Sequence, residues 1–168
     1  IIALVSEIEY TELEKLVPMI FEQGKSPALV ILDGITDVRN LGAIARSAEC
    51  AGLHGLVIPS KGSAQINSDA IKTSAGALNS LPVCRVNSLP DTVKYLKDSG
   101  FQIAAATEKA AGTIYQADLR PPTAIIMGAE DTGIDPQLLR MADQLIKIPM
   151  PGTIQSLNVS AAAAVLFF

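Results

Sequence analysis

The chain has 168 residues, of which 49% are hydrophobic and 18% charged, and this balance excludes an intrinsically disordered protein. Its formal net charge of −4 provides no general attraction for nucleic acid, although a local basic patch remains compatible with it. The two cysteines, Cys50 and Cys84, form no CxxC motif, which favours a reducing compartment and a cytoplasmic location over a disulfide framework.

The first half of the chain alternates short apolar runs with helical patterns. Thr11 and Glu14 are spaced as a capping box, which predicts a helix that begins there and ends at Gly24. Bounded apolar runs predict the next strands, and periodic segments between them predict helices. The strands are expected at Ala28–Asp33, Gly55–Pro59 and Leu81–Val86, and the helices at Asn40–Gly52 and Ser68–Leu78.

The second half continues the alternation. Asp135 followed by Pro136 is typical of a helix N-cap and first helical position. Strands are expected at Phe101–Thr107, Thr123–Ala129 and Gln144–Met150, and helices from about Pro90 to Gly100, from Pro136, and after Asn158. Strands that are apolar on both faces and alternate with helices indicate a parallel sheet. The sequence therefore predicts one α/β domain with a mostly parallel sheet of about six strands, covered by helices on both faces.

Several kinds of active site are excluded by the motifs. No loop carries GxGxxG, "GAEDTGID" lacks the Lys-Ser/Thr of a phosphate-binding loop, and GxSxG is absent. His54 is the only histidine, which removes most acid–base triads and histidine-rich metal sites. We interpret His54 as a surface residue beside a glycine turn, and we expect no metal.

Ligands of open α/β sheets bind beyond the carboxyl ends of the strands, and three loops of this kind are unusually polar. They contain Asn40 and Arg46, Glu130, and Ser156 with Asn158. Each set has a structural alternative: a capping Asn40 with a solvated Arg46, a glycine-rich turn around Glu130, and a helix cap from Ser156 or Asn158. Asn40 and Arg46 are both expected near the N-terminal end of their helix.

The order of these motifs carries more information than each motif separately. N-x5-R, then G-x-E-x-x-G, then "IPMPGTIQSLNVSAAAA" resembles the SpoU/TrmH-type branch of the SPOUT RNA methyltransferases, from about Val30 to the end of the chain. The segment "GSAQINSDAIKTSAGALNSLPVCRVNSL" is similar to members that methylate a guanosine of bacterial 23S rRNA. Two departures are "DVRN", which keeps Asn40 and adds a cation at Arg39 where many members have Asp-Pro-His-Asn, and "AEDTG", where a Gly or Asn often neighbours the Glu.

The resemblance implies a fold and an activity. The fold would carry a deep trefoil knot formed by the C-terminal part of the chain, and the protein would be a homodimer. The activity would be methylation of an RNA ribose 2′-hydroxyl with S-adenosylmethionine as donor, most closely that of the 23S rRNA guanosine enzymes. Two alternatives remain: a tRNA ribose 2′-O-methyltransferase of the same family, and a catalytically silent RNA-binding dimer.

Matching motif positions give the implied site. The donor would lie among Thr107, Gly128, Ile148, Met150, Ser156 and Leu157. The implied catalytic residues are Arg46, Asn40, Glu130, Ser156 and Asn158. Because arginine stays protonated in proteins, we expect Arg46 to hold a neighbouring phosphate and stabilise the developing alkoxide, while the other four orient Arg46 and the ribose.

The expected domain organisation has two parts. Residues 1–26 are predicted to be a linker and helix that lead from a missing N-terminal RNA-binding domain, and residues 27–168 to be the catalytic domain. The chain begins at Ile1 and stops at Phe168 within a helical pattern, which we interpret as a fragment with a truncated C-terminus. The apolar run from Ala161 is too short to span a bilayer, so no membrane partner is expected, and burial of this run in a homodimer would protect it from water.

Overall fold

Six strands form one sheet in which every pairing is parallel, in a computed structural model that describes residues 8–168. The order across the sheet is β3-β2-β1-β5-β4-β6. The strands are β1 (Ala28–Asp33), β2 (Gly55–Pro59), β3 (Val83–Val86), β4 (Gln102–Ala106), β5 (Thr123–Gly128) and β6 (Gln144–Ile146). The helices are α1 (Leu13–Glu22), α2 (Val38–Cys50), α3 (Ser68–Thr73), α4 (Ala77–Ser80), α5 (Leu89–Asp98), α6 (Pro136–Met141) and α7 (Val159–Phe167), with a 3-10 turn at Ile114–Gln116. The predicted α/β class and the six-stranded parallel sheet are confirmed.

Alternate side chains of the strands enter two hydrophobic layers. On β1, Val30 and Leu32 pack with α2, α3, α4 and α7, whereas Leu29 and Ile31 pack with α1, α5 and α6. All four side chains are fully buried. This burial on both faces explains the unbroken apolar runs in the sequence.

β1 and β5 lie side by side at the centre of the sheet, and their paired residues run from Ala28 with Thr123 to Asp33 with Gly128. The loops that follow the two strands therefore leave the sheet next to each other. The remaining carboxyl ends, those of β4 and β6, lie on the same side because all strands are parallel.

Two predicted elements differ most from the structure. β6 ends at Ile146 and does not reach Met150, because Lys147 pairs with the segment around Thr113 and two prolines without N–H groups follow. The predicted helix over residues 68–78 is divided into α3 and α4, because Ala75 (φ 53°) and Gly76 (φ 86°) both adopt the left-handed conformation.

The start of α1 also differs from the prediction. Its N-cap is Glu12 and no side chain caps it, so the capping box at Thr11 was wrong. The backbone N–H of Thr11 instead donates to the carbonyl of Val83, at 2.8 Å, which ties the segment before the helix to β3. The end at Gly24 (φ 70°) is confirmed, as is the Asp135 cap of α6.

The predicted linker of residues 1–26 is described only from residue 8. Its helix α1 buries Leu13, Leu16, Val17 and Ile20 against the same core as the sheet. Both cysteines are free thiols, as predicted, with Cys84 buried and Cys50 exposed. None of the helices in residues 8–168 has the length and hydropathy of a bilayer-spanning segment.

Candidate active site

A cleft of about 1150 Å³ opens where the carboxyl ends of β4, β5 and β6 meet the start of α7. Its walls include the six predicted donor contacts: Thr107, Gly128, Ile148, Met150, Ser156 and Leu157. Glu130 also lines it. Drug-sized ligands occupy pockets of about 300–1,000 Å³, so the cleft has room for a ligand of that size and for part of a second reactant.

The loop after β5 folds tightly back on itself. A Cβ added to Gly128 would lie 2.3 Å from the carbonyl carbon of Gly133, and the N–H of Gly133 donates to the carbonyl of Ala129 at 2.8 Å. In the structure Gly128 is required by the chain's own backbone.

Both ends of this loop are fixed to one residue of β1. The N–H of Ala129 donates to the carbonyl of Asp33 at 3.2 Å, and the N–H of Asp135 donates to Oδ2 of Asp33 at 2.7 Å. The loop of residues 129–135 therefore begins and ends on Asp33. Asp33 was not among the predicted site residues, although a carboxylate at the end of a buried strand is a signal that could have indicated it.

Glu130 connects this loop to the last helix. Its Oε1 accepts a hydrogen bond from the backbone N–H of Val159, the first residue of α7, at 2.6 Å. The first N–H groups of a helix lack partners within the helix and carry its partial positive charge, so a carboxylate there is stabilising. Glu130 thus fixes the point at which the chain leaves the cleft and enters α7.

Asn158 serves both as a cap and as a link between helices. Its Oδ1 accepts from the backbone N–H groups of Ser160 (3.0 Å) and Ala161 (3.3 Å) and from the Ser160 hydroxyl. Its Nδ2 donates to Oδ1 of Asn40 at 3.1 Å, which joins α7 to the first turn of α2. The N-cap of α2 is Asp37, so the alternative that Asn40 caps this helix was wrong.

Arg46 lies apart from these residues. It is the ninth of the thirteen residues of α2, about 9 Å along the helix axis from Asn40, so the expectation that both lie near its N-terminal end was wrong. Its side chain is exposed and has no hydrogen bond or ion pair within residues 8–168. It does not line the cleft. Of the predicted catalytic residues, the structure brings together Asn40, Glu130 and Asn158, with Ser156 in the cleft wall.

The segment before α7 presents free backbone groups to the cleft. Among the described residues, the N–H groups of Ile148, Met150, Ser156 and Leu157 have no hydrogen-bond partner. Gln155 holds the turn of this segment, since its Nε2 donates to the carbonyl of Gly152 at 2.6 Å. Apolar side chains beside unpaired backbone donors suit a flat, partly polar ring such as adenine.

Four charged side chains that the sequence did not suggest also line the cleft: Glu108, Lys109, Asp131 and Lys147. Each follows the carboxyl end of β4, β5 or β6, and this position is the signal in the sequence that could have indicated them. In the described part of the chain, no three His, Cys, Asp or Glu side chains are grouped to hold a metal ion.

His54 lies at the opposite end of the sheet. Its Nδ1 accepts a hydrogen bond from the backbone N–H of Ala28 at 3.0 Å. Partial burial, and then the charge of Lys25, lower the pKa of His54 from its ordinary value. The residue is half-buried and joins β1 to the loop before β2, so its role is structural, although it is less exposed than the sequence suggested.

A family model described as "SpoU rRNA Methylase family" matches residues 27–168. The chain belongs to this family. It is 42% identical over 151 residues to the 23S rRNA (guanosine-2′-O-)-methyltransferase RlmB of Photorhabdus laumondii, covering 90% of this chain and 62% of the relative. It is 42% identical over 142 residues to RlmB of Escherichia coli K12, covering 84% of this chain and 58% of the relative.

A solved structure of the same kind is the AdoMet-bound rRNA methyltransferase from Sinorhizobium meliloti. It matches with a TM-score of 0.85 and 26% identity, over 95% of this chain and 59% of that one. The family membership predicted from the motifs is confirmed. The chain spans about three fifths of the length of the curated relatives it matches, at 62% and 58%.

Proposed function

We propose that the protein transfers a methyl group from S-adenosylmethionine to the ribose 2′-hydroxyl of a guanosine in 23S rRNA. The observation that carries the proposal is the cleft at the strand carboxyl ends, whose walls contain every residue expected to contact the donor. The RlmB relatives and the AdoMet-bound structural neighbour support the reaction and the donor.

The cleft suits the donor on physical grounds. Apolar side chains of Ile148, Met150 and Leu157 would contact the adenine, and the free N–H groups of the same segment would bind its polar edge. The donor supplies an electrophilic methyl group on a sulfonium. The protein's own part is to hold the ribose oxygen in line with that methyl group.

The polar residues around the start of α7 would position the ribose. Glu130 and Asn158 are already held by hydrogen bonds, so they would bind the substrate with little loss of side-chain entropy. Arg46 would hold a phosphate of the target RNA and stabilise negative charge on the ribose oxygen as its proton leaves to solvent.

We further propose a homodimer. Ala161 and Val165 lie on the same face of α7, one turn apart, and both are exposed, Val165 at 41%. Arg46 does not line the cleft of its own chain. In a dimer that covers this face, Arg46 of one copy would reach the cleft of the other. Light scattering at micromolar concentration should give the mass of two chains, and the mass of one chain would contradict this.

The trefoil knot is also part of the proposal. β6 lies at the edge of the sheet, yet α7, which follows it, packs against α2 and β5 near the centre. This return path across the strand ends, together with the bond from Glu130 to Val159, supports a threaded C-terminal segment. The division at residue 26 and an RNA-binding domain before it remain predictions. The proposed substrate implies a cytoplasmic location.

The test is methyl transfer to defined RNA. The protein and labelled S-adenosylmethionine are incubated with 23S rRNA from cells that lack the enzyme, and ribose methylation is mapped. We expect one methylated guanosine in 23S rRNA. Methylation of tRNA alone would contradict the proposed substrate, and RNA binding without any donor binding or methyl transfer would indicate the silent RNA-binding dimer.

A further inference from the structure

We propose that Asp33 is a positioning residue for the donor site, which it serves by holding the Glu130 loop against the sheet. The inference rests on the proposed function for its catalytic consequence. Its structural part, the connection from Asp33 through Glu130 to α7, can be measured without any ligand.

The first step is that Asp33 closes the loop of residues 129–135. Its main-chain carbonyl accepts from Ala129 at 3.2 Å, and its carboxylate accepts from Asp135 at 2.7 Å, so one residue of β1 holds both ends. The carboxylate bond connects residues 102 positions apart in sequence. A hydrogen bond to a charged acceptor is stronger than a neutral one, and this bond fixes the end of the loop that leads into α6.

The second step is that the closed loop sets the position of Glu130. Gly128 lies so close to the backbone of Gly133 that a Cβ on Gly128 does not fit, and the N–H of Gly133 donates to the carbonyl of Ala129 across the loop. If the Asp135 end is released, this tight turn has one anchored end instead of two. Glu130 then has more orientations available and its bond to Val159 is populated less.

The third step is that the bond to Val159 supports the cleft wall. Val159 begins α7, and the residues directly before it include Ser156 and Leu157, which line the cleft. Loss of this anchor loosens the segment whose free N–H groups would bind the donor. Asp33 itself does not line the cleft, so it acts through Glu130 and not by touching a ligand.

The chain offers a matched control in Asp143. Its Oδ2 accepts from the backbone N–H of Ile103 at 2.7 Å, the same bond type and length as at Asp33, but at the amino end of β4. Asp143→Ala should therefore destabilise the protein at least as much, because it also loses an ion pair with Lys97, without affecting the cleft. Asp33→Asn keeps an oxygen acceptor and tests whether that acceptor is what matters.

The experiment has a ligand-free arm and a donor arm. Amide hydrogen exchange should become about ten-fold faster at Val159 in Asp33→Ala. The exchange rates of amides in the central strands should keep the same rank order as in the parent protein. Affinity for S-adenosylmethionine, measured by calorimetry, should fall about ten-fold in Asp33→Ala and less than three-fold in Asp33→Asn. Asp143→Ala should stay within two-fold of the parent in both measurements.

A double variant separates positioning from general loss of stability. In a Glu130→Ala background, Asp33→Ala should change donor affinity by less than two-fold, because the group it positions is already absent. Unchanged hydrogen exchange at Val159 in Asp33→Ala would overturn the inference whatever the protein binds. The inference would also be overturned if Asp33→Ala lowered donor affinity as much in the Glu130→Ala background as it does in the parent protein. Faster exchange at Val159 in a protein that binds no donor would overturn the proposed function and leave the structural connection in place.

Discussion

On the face of the sheet covered by α1, α5 and α6, amphipathic helices bury large side chains such as Leu16, Leu96 and Leu138. Ion pairs such as Lys94 with Asp98 and Lys97 with Asp143 lie on the outer surface of this layer. On the opposite face, the described residues of α2, α3, α4 and α7 form no ion pair.

The second face uses close packing and single long-range hydrogen bonds. A Cβ on Gly42 of α2 would lie 2.7 Å from the Ala70 carbonyl of α3, so these helices pack backbone against backbone. The start of α7 is held by Glu130 and Asn40, from 29 and 118 residues away. The comparison indicates that the first face is stabilised mainly by buried side chains, whereas on the second face a few specific contacts fix the positions of the helices. The start of α7, which forms one wall of the candidate site, belongs to the second face.

The largest expected effect compares one exposed cation on each face, Arg46 on α2 and Lys94 on α5. Arg46→Ala should lower methyl transfer about 10²- to 10³-fold with donor affinity unchanged, since its role is in the RNA complex and the transition state. Arg46→Lys should recover part of the rate, because an ammonium lacks the planar fork that binds phosphate. Lys94→Ala on α5 is the control and should methylate at the parent rate; an Arg46→Ala protein that did the same would leave Arg46 as a solvated helix residue.

The next effect compares Gly128, which lines the cleft, with Gly152, which does not. Gly128→Ala should destabilise the protein by about 1–3 kcal/mol, because the new Cβ overlaps the backbone of Gly133 and Ile134. Gly152→Ala should change stability by less than about 0.5 kcal/mol, since nothing lies within 4 Å of its Cβ. Denaturant unfolding measures both. Equal stabilities for the two variants would show that the loop after β5 is not packed as described.

Two helix caps sharpen the contrast between the faces. Ser88 caps α5 by accepting from the N–H of Asp91, and Asn158 caps α7 while also bonding Asn40. Either residue changed to Ala should cost about 1 kcal/mol in the free energy of unfolding. Only Asn158→Ala should also weaken donor binding in calorimetry, and a matching loss in Ser88→Ala would mean that helix stability alone accounts for it.

The smallest effect is expected at the break between α3 and α4. Ala75 is exposed at φ 53°, a conformation that costs a residue with a Cβ about 1–2 kcal/mol. Ala75→Gly should raise stability by about 0.5 kcal/mol after the larger entropy of glycine in the unfolded chain is subtracted. Ala43→Gly inside α2 should instead lower it by about 1 kcal/mol, and thermal unfolding distinguishes the two signs.

The sequence predicted the features that depend on local signals and missed those that depend on tertiary contacts. Strands such as Ala28–Asp33 and the cap at Asp135 were predicted correctly because apolar runs and capping residues are local signals. The six residues that the family motifs suggested as donor contacts line one cleft in the structure. The bond from Asp33 to Asp135 and the absence of Arg46 from the cleft wall could not be predicted, because they depend on tertiary placement that periodicity does not encode.

The most direct test of the central claim, that the strand-end cleft binds S-adenosylmethionine, is a calorimetric titration of three proteins. Leu157 and Leu145 are similarly exposed, at 41% and 37%, but only Leu157 lines the cleft. We expect the parent and Leu145→Asp to bind the donor within two-fold of each other, and Leu157→Asp to lose at least about ten-fold in affinity, because a carboxylate would replace an apolar contact of the adenine. No binding to the parent, or equal affinities in the two variants, would contradict the account.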